Sequence, residues 1–440
     1  MKSVDVAIIG AGAAGLAAAH ALRGHGMSLV VFEARERVGG RILTDRDPRT
    51  NLPVELGAEF IHGSAPLTEG LLRHAGLTSH DVGGEHRAAE RGRLRRAEFL
   101  GAIDRVMHHA DPDSADLSAA AFLARRPGGP SLARARGVTR RFLEGFHAAD
   151  LRQLSVLAVT PAEGESLTEA AGRLGRVDQG YAGITHWLAR DLRSSLRLGH
   201  VVRAVEWRPG RATLTVLRRS RASTRCGARA VIVTVPLGVL KAPPSARGAI
   251  AFEPRPQRVE RALAGLAMGS AVRLCVAFRR PPWDRDGFVA ASAGTERLSF
   301  LHLAGTRFQV CWTAYPHRAP LAVAWCGGPA ATALSSAGRA QVLDAVRSDL
   351  ARALRTTPGR IEGSVRRVWW HNWDQDPYAR GAYSYVRVGG GAASRTLARP
   401  QEGTLFFAGE ATDPQGGTVE AALASGRRAA RQVLSLLATD

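Results

Sequence analysis

The chain has 440 residues, of which 45% are hydrophobic, and its formal net charge is +21 at pH 7. This length suits a globular protein with roughly two or three domain-sized cores, and no apolar run reaches the roughly 18–20 residues of a membrane-spanning helix. The charge comes from arginines scattered along the chain without interleaved aromatic residues that could stack on bases, so we expect no dedicated nucleic-acid partner.

The cysteines and histidines give no sign of a metal site or a disulfide framework. Cys226, Cys275, Cys311 and Cys326 are far apart and form no CxxC pair, so reduced thiols and no bound metal are expected. The N-terminus lacks the basic, apolar and cleavage regions of a signal peptide. We therefore expect a cytoplasmic protein with no membrane partner.

The first predicted elements form a strand, a glycine-rich turn, a helix and a second strand. An apolar strand over residues 4–9 leads into GAGAAG at 10–15, then an Ala/Leu-rich helix, then a strand that ends at Glu33. The glycines let the backbone turn tightly and approach a pyrophosphate at the helix N-terminus, and Glu33 is placed to accept hydrogen bonds from ribose hydroxyls. This arrangement predicts a dinucleotide-binding site.

Further motifs follow, ending with a second glycine pair near the C-terminus. ERVGGR occupies residues 36–41 and LGAEFIHG residues 56–63. Near the end, a predicted strand over residues 405–407 is followed by Gly409 and Glu410, and a helix opens after residues 416–417 at Thr418. Such a helix N-terminus would direct backbone N–H groups at an electron-rich group, such as the N1–C2=O edge of a flavin.

Taken together, these motifs resemble the flavin-dependent amine oxidases, a family that includes monoamine oxidases, polyamine oxidases and lysine-specific histone demethylases. The resemblance covers essentially the whole chain, and the polyamine-oxidase-like members are the most similar. The motifs that carry it are GAGAAG, ERVGGR, LGAEFIHG, VIVTVPLGVLK at 231–241, DPYARGAYSYV at 376–386 and FAGEATDPQGGTVEAALASG at 407–426.

The resemblance implies an α/β fold with two domains made of non-contiguous segments. A Rossmann-like FAD-binding domain would comprise residues 1–78, 186–268 and 398–440. An α+β substrate-binding domain, with a mixed sheet and helices, would comprise residues 79–185 and 269–397. Within the second domain, residues 79–185 have few strand signals, and one long helix is predicted over about 330–354.

The activity implied by the resemblance is that of an FAD-dependent amine oxidase. A hydride would pass from the carbon beside a (poly)amine nitrogen to flavin N5, water would hydrolyse the imine, and O2 would reoxidise the flavin and yield H2O2. Two alternatives stay open: a flavin oxidoreductase for another substrate such as an L-amino acid, and a flavoprotein with weak or no amine turnover. A homodimer is also left open.

The resemblance assigns a set of residues to FAD. Binding would be non-covalent, because Ala382 stands where the covalently flavinylated members have a cysteine. The residues implied to contact the cofactor are Gly10, Gly12, Ala14, Gly15, Glu33, Ala34, Arg35, Gly40, Arg41, Gly57, Ala58, Glu59, Val202, Gly409, Glu410, Thr418 and Val419.

The resemblance also assigns four residues to the substrate. Tyr383 would form one wall of a cage in front of the flavin, and Thr418, an aromatic residue in monoamine oxidases, would form the other. This open wall favours a chain-like or secondary amine. His62 would accept a proton or a hydrogen bond from the amine. Glu59 would lie near the substrate or hold a neighbouring loop.

Arg273 is the clearest departure from the family pattern. It lies in an alternating strand with Val272, Leu274, Val276 and Phe278 on the opposite face. By spacing it occupies the position of a family lysine that holds a water against flavin N5, which leaves the rate of reoxidation by O2 open. The alternative is that its guanidinium pairs with a nearby carboxylate and supports the strand.

Overall fold

The computed structural model describes residues 2–90, 93–97, 99–160, 173–218, 222–283 and 297–437. In this part of the chain the strands are β1 (Lys2–Ile9), β2 (Leu29–Phe32), β3 (Thr44–Arg46), β4 (Pro53–Glu55), β5 (Phe60–His62), β6 (Ser79–Asp81), β7 (Glu85–Glu90), β8 (Arg93–Arg96), β9 (Leu174–Val177), β10 (Leu196–Arg197), β11 (His200–Arg208), β12 (Arg211–Arg218), β13 (Ser223–Val233), β14 (Ala251–Glu253), β15 (Leu266–Met268), β16 (Ala271–Phe278), β17 (Leu298–His302), β18 (Val310–Thr313), β19 (Leu321–Gly327), β20 (Val365–Trp370), β21 (Ser384–Val386) and β22 (Leu405–Phe407).

The α-helices of the same residues are α1 (Ala13–Leu22), α2 (Pro66–Ala75), α3 (Phe99–Met107), α4 (Ala119–Ala124), α5 (Ala133–Phe146), α6 (Ala182–Ala189), α7 (Leu237–Leu240), α8 (Gln257–Ala264), α9 (Pro329–Ser335), α10 (Arg339–Ala353), α11 (Pro358–Ser364), α12 (Ala393–Leu397) and α13 (Val419–Leu437). None of the described helices is both long enough and apolar enough to cross a membrane.

The first large sheet joins strands from distant parts of the chain. Its strand order is β10-β2-β1-β13-β12-β11-β14, and β22 also pairs with β13. The pairs of β1 with β2 and β13 are parallel, whereas β12 is antiparallel to both of its neighbours. The strands come from the segments predicted for the FAD-binding domain, although the domain boundaries themselves stay a prediction.

Both faces of this sheet are buried, which explains the apolar run of β1 from Val6 to Ile9. Val6 and Ile8 belong to the core on the side of α1 and α13, and Ala7 and Ile9 belong to the core on the other side. A parallel strand covered on both faces needs apolar residues at every position. The close approach of α1 to α13 requires a glycine, since a Cβ at Gly426 would lie 2.1 Å from a backbone oxygen of α1.

The second large sheet has the order β20-β16-β19-β18-β17-β7-β8 and is packed against α9, α10 and α11. All eight residues of β16 are buried. Val272, Leu274, Val276 and Phe278 were predicted to share one face of this strand. They do so, and their side chains lie in the core beneath these helices. Cys275 and Ala277 lie in a separate cluster on the opposite face, which confirms the predicted alternation.

Two predictions for the second half of the fold need correction. The single helix over 330–354 is wrong, because α9 ends at Ser335 and α10 begins at Arg339. Gly338 has extended backbone at the N-cap of α10, and its N–H donates to the Gln341 side chain at 3.3 Å, so a new helix begins there. Residues 79–185 also contain more strand than expected, since β7 and β8 form the edge of the second sheet.

Candidate active site

A cavity of about 1500 Å³ lies between the two sheets and the helices α3 and α5. It exceeds the roughly 300–1,000 Å³ that is typical of a pocket for one small molecule. Its walls combine the carboxyl ends of β1 and β2, the start of α13, and strands β16–β18 of the second sheet. One continuous space can therefore hold a dinucleotide together with a second ligand.

The first end of the cavity is a backbone cradle around Glu33. The buried carboxylate of this residue accepts hydrogen bonds from the N–H groups of Ala11 and Arg35, at 2.8 and 2.9 Å. The start of α1, at Gly12 and Ala13, lines the same space. The first-turn N–H groups of a helix have no intrahelical partners, so this wall offers donors and a positive dipole to an anion.

All of the predicted cofactor residues except Gly15 line this cavity. Gly15 instead lies where α1 crosses β1, and a Cβ there would be 1.9 Å from the oxygen of Gly10. Its role is to let the helix lie close to the strand. The predicted residues that line the cavity are Gly10, Gly12, Ala14, Glu33, Ala34, Arg35, Gly40, Arg41, Gly57, Ala58, Glu59, Val202, Gly409, Glu410, Thr418 and Val419.

A buried ion pair fixes the second glycine-rich segment beside this cradle. Arg41 Nη1 lies 2.8 Å from Glu410 Oε1 and also donates to the oxygen of Ala382 at 2.8 Å. The other carboxylate oxygen of Glu410 accepts hydrogen bonds from Ser384 and from the N–H of Gly417. Although burial opposes the charge, Arg41 and these donors hold the pKa of Glu410 below its usual value.

Tyr383 and the start of α13 lie beside each other in the cavity wall, and the opposing walls expected of Tyr383 and Thr418 stay a prediction. A Cβ at Gly417 would lie 3.6 Å from the Tyr383 ring. The Tyr383 hydroxyl donates to the backbone oxygen of Phe146 at 2.5 Å, which fixes the ring plane. Thr418 lines the cavity, but its hydroxyl accepts the N–H of Ala421 at 3.0 Å and so caps α13.

His62 lines the same end of the cavity and packs edge-on against Phe146, with ring centroids 5.8 Å apart. Burial among protein atoms lowers the pKa of His62 to about 4. Its imidazole is therefore neutral at pH 7 and can accept a hydrogen bond. The structure thus brings together the three predicted residues Tyr383, Thr418 and His62.

Arg273 also lines the cavity, and its guanidinium has a protein carboxylate as its partner. Nη1 donates to the oxygen of Gly57 at 2.8 Å, and Nη2 pairs with Glu59. Glu59 is held as well by Arg176 at 2.7 Å and by the Trp312 indole N–H at 2.9 Å. This matches the alternative in which Arg273 pairs with a carboxylate and supports the strand.

The charges of this pair are maintained in spite of burial. Burial opposes both charges, but the neighbouring arginines lower the pKa of Glu59, and Glu59 raises that of Arg273. Glu59 is thus fully engaged by protein donors, which supports its role in holding the loop of residues 57–59. The flavin-facing role of Arg273 stays a prediction.

A second cavity of about 70 Å³ lies behind this pair and is also lined by Glu55, His80, Asp178 and His317. Each of the last three offers a possible metal-ligand atom, and these atoms lie within 4.8 Å of one another. His80 Nδ1 is hydrogen-bonded to Asp178 at 2.5 Å. Sequence spacing did not reveal this group, because β6, the residue after β9 and the loop after β18 meet only in the fold.

Several cavity residues escaped the sequence analysis. Phe146 is 47% exposed although it lines the cavity, so a large apolar face is open towards a ligand. His86 and His302 meet through β7 and β17, and Arg141 approaches them from α5. Strand pairing between distant segments creates these contacts, and no local pattern signals it.

Comparison with known proteins identifies the family. A family model described as flavin containing amine oxidoreductase matches residues 13–434. The chain belongs to this family. Among curated relatives, polyamine oxidase 3 of Oryza sativa subsp. japonica is 29% identical, and the match covers 97% of this chain and 88% of that protein. Human lysine-specific histone demethylase 2 is 28% identical over 98% of this chain, which spans 53% of that protein.

Solved structures of the flavin amine oxidoreductase fold agree with the architecture described above. Putrescine oxidase bound to putrescine superimposes with a TM-score of 0.79 and 23% identity, over 98% of this chain and 99% of that one. Cyclohexylamine oxidase from Brevibacterium oxydans gives a TM-score of 0.78 and 21% identity, with 99% of each chain covered. The predicted two-domain α/β fold is confirmed.

The residues present fit a non-covalently bound FAD. The cradle has the three features that a dinucleotide needs: a close backbone approach at Gly12, a helix N-terminus, and the buried carboxylate of Glu33. Ala382 lines the cavity next to Tyr383 and offers no thiol for a covalent bond. The protein is therefore an FAD-dependent amine oxidoreductase.

Proposed function

We propose that this protein oxidises an amine at the carbon bonded to nitrogen and produces an imine that water hydrolyses, with O2 as the final electron acceptor. The observation that carries the proposal is the continuity of one cavity from the Glu33 cradle to the facing pair of Tyr383 and His62. A dinucleotide held at the first end would extend towards the second. Family membership supports the same reaction class.

The reaction divides between cofactor and protein. When bound, FAD supplies the hydride acceptor and the route of electrons to O2. Residues Glu33, Arg41, Gly57 and Glu410 would hold it. The protein residues around the substrate then have three tasks, which are to orient the amine, to keep its nitrogen unprotonated and to exclude water.

Tyr383 would orient the amine. Its ring is fixed at the hydroxyl by the oxygen of Phe146, so the ring face stays presented to the cavity. An electron-rich ring face attracts an amine nitrogen and the developing positive charge of an iminium product. Thr418 at the start of α13 leaves room beside the ring.

His62 would hold the amine as a neutral base. Because burial lowers its pKa to about 4, the imidazole presents a lone pair to an amine N–H over the whole neutral range. A neutral neighbour does not repel a nitrogen that becomes positively charged when the hydride leaves. His62 therefore positions the amine, and it stores no proton at pH 7.

Aromatic rings would keep the reacting atoms dry. Phe146 stands between Tyr383 and His62, and Phe60 and Trp312 continue the wall with ring centroids 5.4 Å apart. An apolar wall strengthens the polar contacts inside it and protects the imine until release.

The test is anaerobic reduction of the purified yellow protein by a panel of amines and amino acids, followed by admission of oxygen. We expect amines to bleach the flavin absorbance and oxygen to restore it with formation of H2O2. If no amine bleaches the flavin, the proposal is wrong, and the flavoprotein without amine turnover becomes the better description. The cytoplasmic location and the homodimer stay predictions.

A further inference from the structure

The helical wall of the large cavity is lined by cations. Arg105 on α3 and Arg134 and Arg141 on α5 all contribute to it. Burial lowers the pKa of Arg141, and the charge of Arg134 lowers it further, so the two guanidinium groups are close enough to repel. Arg134 is exposed, so Arg141 is the partly desolvated cation of the two, and a desolvated cation raises the local affinity for an anion.

Arg141 has spare hydrogen-bonding capacity. Among the described residues, no carboxylate lies within ion-pair distance of its guanidinium: the charge of Glu144 acts on Arg141 from further away, and Glu144 Oε1 lies 4.0 Å from Arg140 Nη1. An arginine carries five N–H donors in a planar fork that matches a carboxylate. The N–H groups of the Arg141 guanidinium are thus available to a ligand.

Two neutral histidines complete this end of the cavity. His86 Nδ1 and His302 Nε2 are 3.1 Å apart, and both rings stack on aromatic neighbours. Burial lowers the pKa of His302 to about 3, and the charges of His86 and Arg141 act in the same direction. Arg141 is the charged group of this region, hereafter the electropositive region, and the two neutral imidazoles beside it add N–H groups that can donate hydrogen bonds.

The acidic residues of the described cavity wall are all engaged elsewhere. Glu33 accepts two backbone N–H groups, Glu59 is held by Arg176 and Arg273, and Glu410 is held by Arg41. A second ammonium group, such as a diamine carries, would find no open carboxylate among these side chains. The electrostatics of the wall disfavour a polycation and favour an anion.

A line of aromatic rings separates the electropositive region from Tyr383. The Tyr383 hydroxyl donates to the backbone oxygen of Phe146. From Phe146 the rings follow one another, with centroid distances of 4.9 Å to Phe142, 5.4 Å from Phe142 to Phe99 and 4.4 Å from Phe99 to His302. A ligand that spans this distance needs an apolar middle. Its two polar ends would lie at opposite ends of the line of rings.

We propose that Arg141, beside the His86–His302 pair, binds a carboxylate, and that the substrate is an amine whose carboxylate lies at the far end of an apolar spacer. This inference rests on the proposed function for its amine end. It departs from the polyamine-like substrate predicted from the sequence. The reacting end remains at Tyr383 and His62.

The binding test uses octanoate, which carries the carboxylate and the spacer but no amine. Isothermal titration of the FAD-loaded protein should show binding that weakens roughly 10-fold or more in Arg141→Gln, since a charge-assisted pair is lost. Arg125→Gln is the control, because it removes an exposed arginine directly after α4 that does not line the cavity. Equal affinity for octanoate in wild type and Arg141→Gln overturns the proposal.

The substrate test compares octylamine, octane-1,8-diamine and 8-aminooctanoate in anaerobic flavin reduction. We expect 8-aminooctanoate to be the best of the three at low concentration, and Arg141→Glu to shift the preference towards the diamine. Slower reduction by 8-aminooctanoate than by octylamine overturns the substrate class while leaving amine oxidation intact. Octanoate binding that depends on Arg141, with no reduction by any amine, upholds the anion site and rejects the proposed function.

Discussion

The two ends of the cavity are built in different ways. At the cofactor end, short continuous motifs place backbone N–H groups, and each acidic residue has a fixed partner, as Glu410 has in Arg41. At the substrate end, the side chains come from β7, β17, α3 and α5, which are far apart in the sequence. The Arg141 guanidinium there has no ion-pair partner among the described residues. A cofactor that never changes can be bound by local backbone geometry, whereas a substrate is selected by side chains that only the tertiary fold assembles.

Replacement of Arg273 should lower the free energy of unfolding more than any of the substitutions that follow. Arg273→Met leaves the buried carboxylate of Glu59 with Arg176 as its one remaining cation and with the Trp312 N–H, which should lower the free energy of unfolding by about 3 kcal/mol. Denaturant unfolding of the FAD-loaded protein measures this. Arg279→Met, at the exposed residue directly after β16, should change it little.

The same variants decide the flavin-facing prediction for Arg273. If the guanidinium also acts on the oxygen reaction, stopped-flow reoxidation should be slower in Arg273→Met and faster in Arg273→Lys. Equal reoxidation rates in all three proteins, together with the loss of stability, would leave Arg273 with a supporting role alone.

His62 tests the reacting end by itself. His62→Leu should slow anaerobic reduction by the best amine roughly 100-fold, because the amine loses its hydrogen-bond acceptor. His62→Gln should restore part of the rate. Since the pKa of His62 is about 4, the rate between pH 6 and 9 should follow the ionisation of the amine in both proteins. An added ionisation near pH 6.5 in the wild type would contradict the assignment.

Glu33 tests the cofactor end. Glu33→Ala removes a charged acceptor worth about 1.5–3 kcal/mol, so FAD affinity should fall roughly 10- to 100-fold. The measurement is the flavin-to-protein ratio after dilution and gel filtration. Full retention of FAD would show that Glu33 is not the ribose residue. The affinity for octanoate, normalised to the fraction of protein that holds FAD, should stay unchanged, because octanoate would bind at the other end of the cavity.

Glu55, behind the Arg273–Glu59 pair, gives the smallest predicted effect and a pH dependence of known sign. Burial raises its pKa to about 7, above the ordinary 4.5, so the folded state binds the proton more tightly than the unfolded state. The resulting stability is present below pH 4.5 and is lost as pH rises through 7. Glu55→Gln should therefore be about 2 kcal/mol more stable than wild type at pH 6 and nearly equal at pH 4.

Thermal or urea unfolding at the two pH values measures this difference. Glu253→Gln, at the exposed end of β14, is the control and should show no such dependence on pH. A Glu55→Gln difference that is equal at both pH values would mean that Glu55 titrates normally in the folded protein.

The contrast between the two ends also explains what could be predicted from the sequence. The GAGAAG turn, Glu33 and the segment from Gly409 to Thr418 were found because their chemistry lies within a few consecutive residues. The face of Arg273 was predicted correctly from alternation, but its partner Glu59 was not, because the contact spans more than two hundred residues. Arg141 gave no signal, since one more arginine in an arginine-rich helix has no distinctive pattern.

The topology of the first sheet has a consequence for biosynthesis. β1 needs β13 as its neighbour, β13 needs β22, and α13 covers α1, so the cofactor end closes only after nearly the whole chain has left the ribosome. Glu420 adds a late connection, since its carboxylate accepts the N–H groups of Leu67 and Thr68. A nascent chain that stops before α13 would expose the small apolar face of α1, which makes such truncated chains targets for chaperones and proteases.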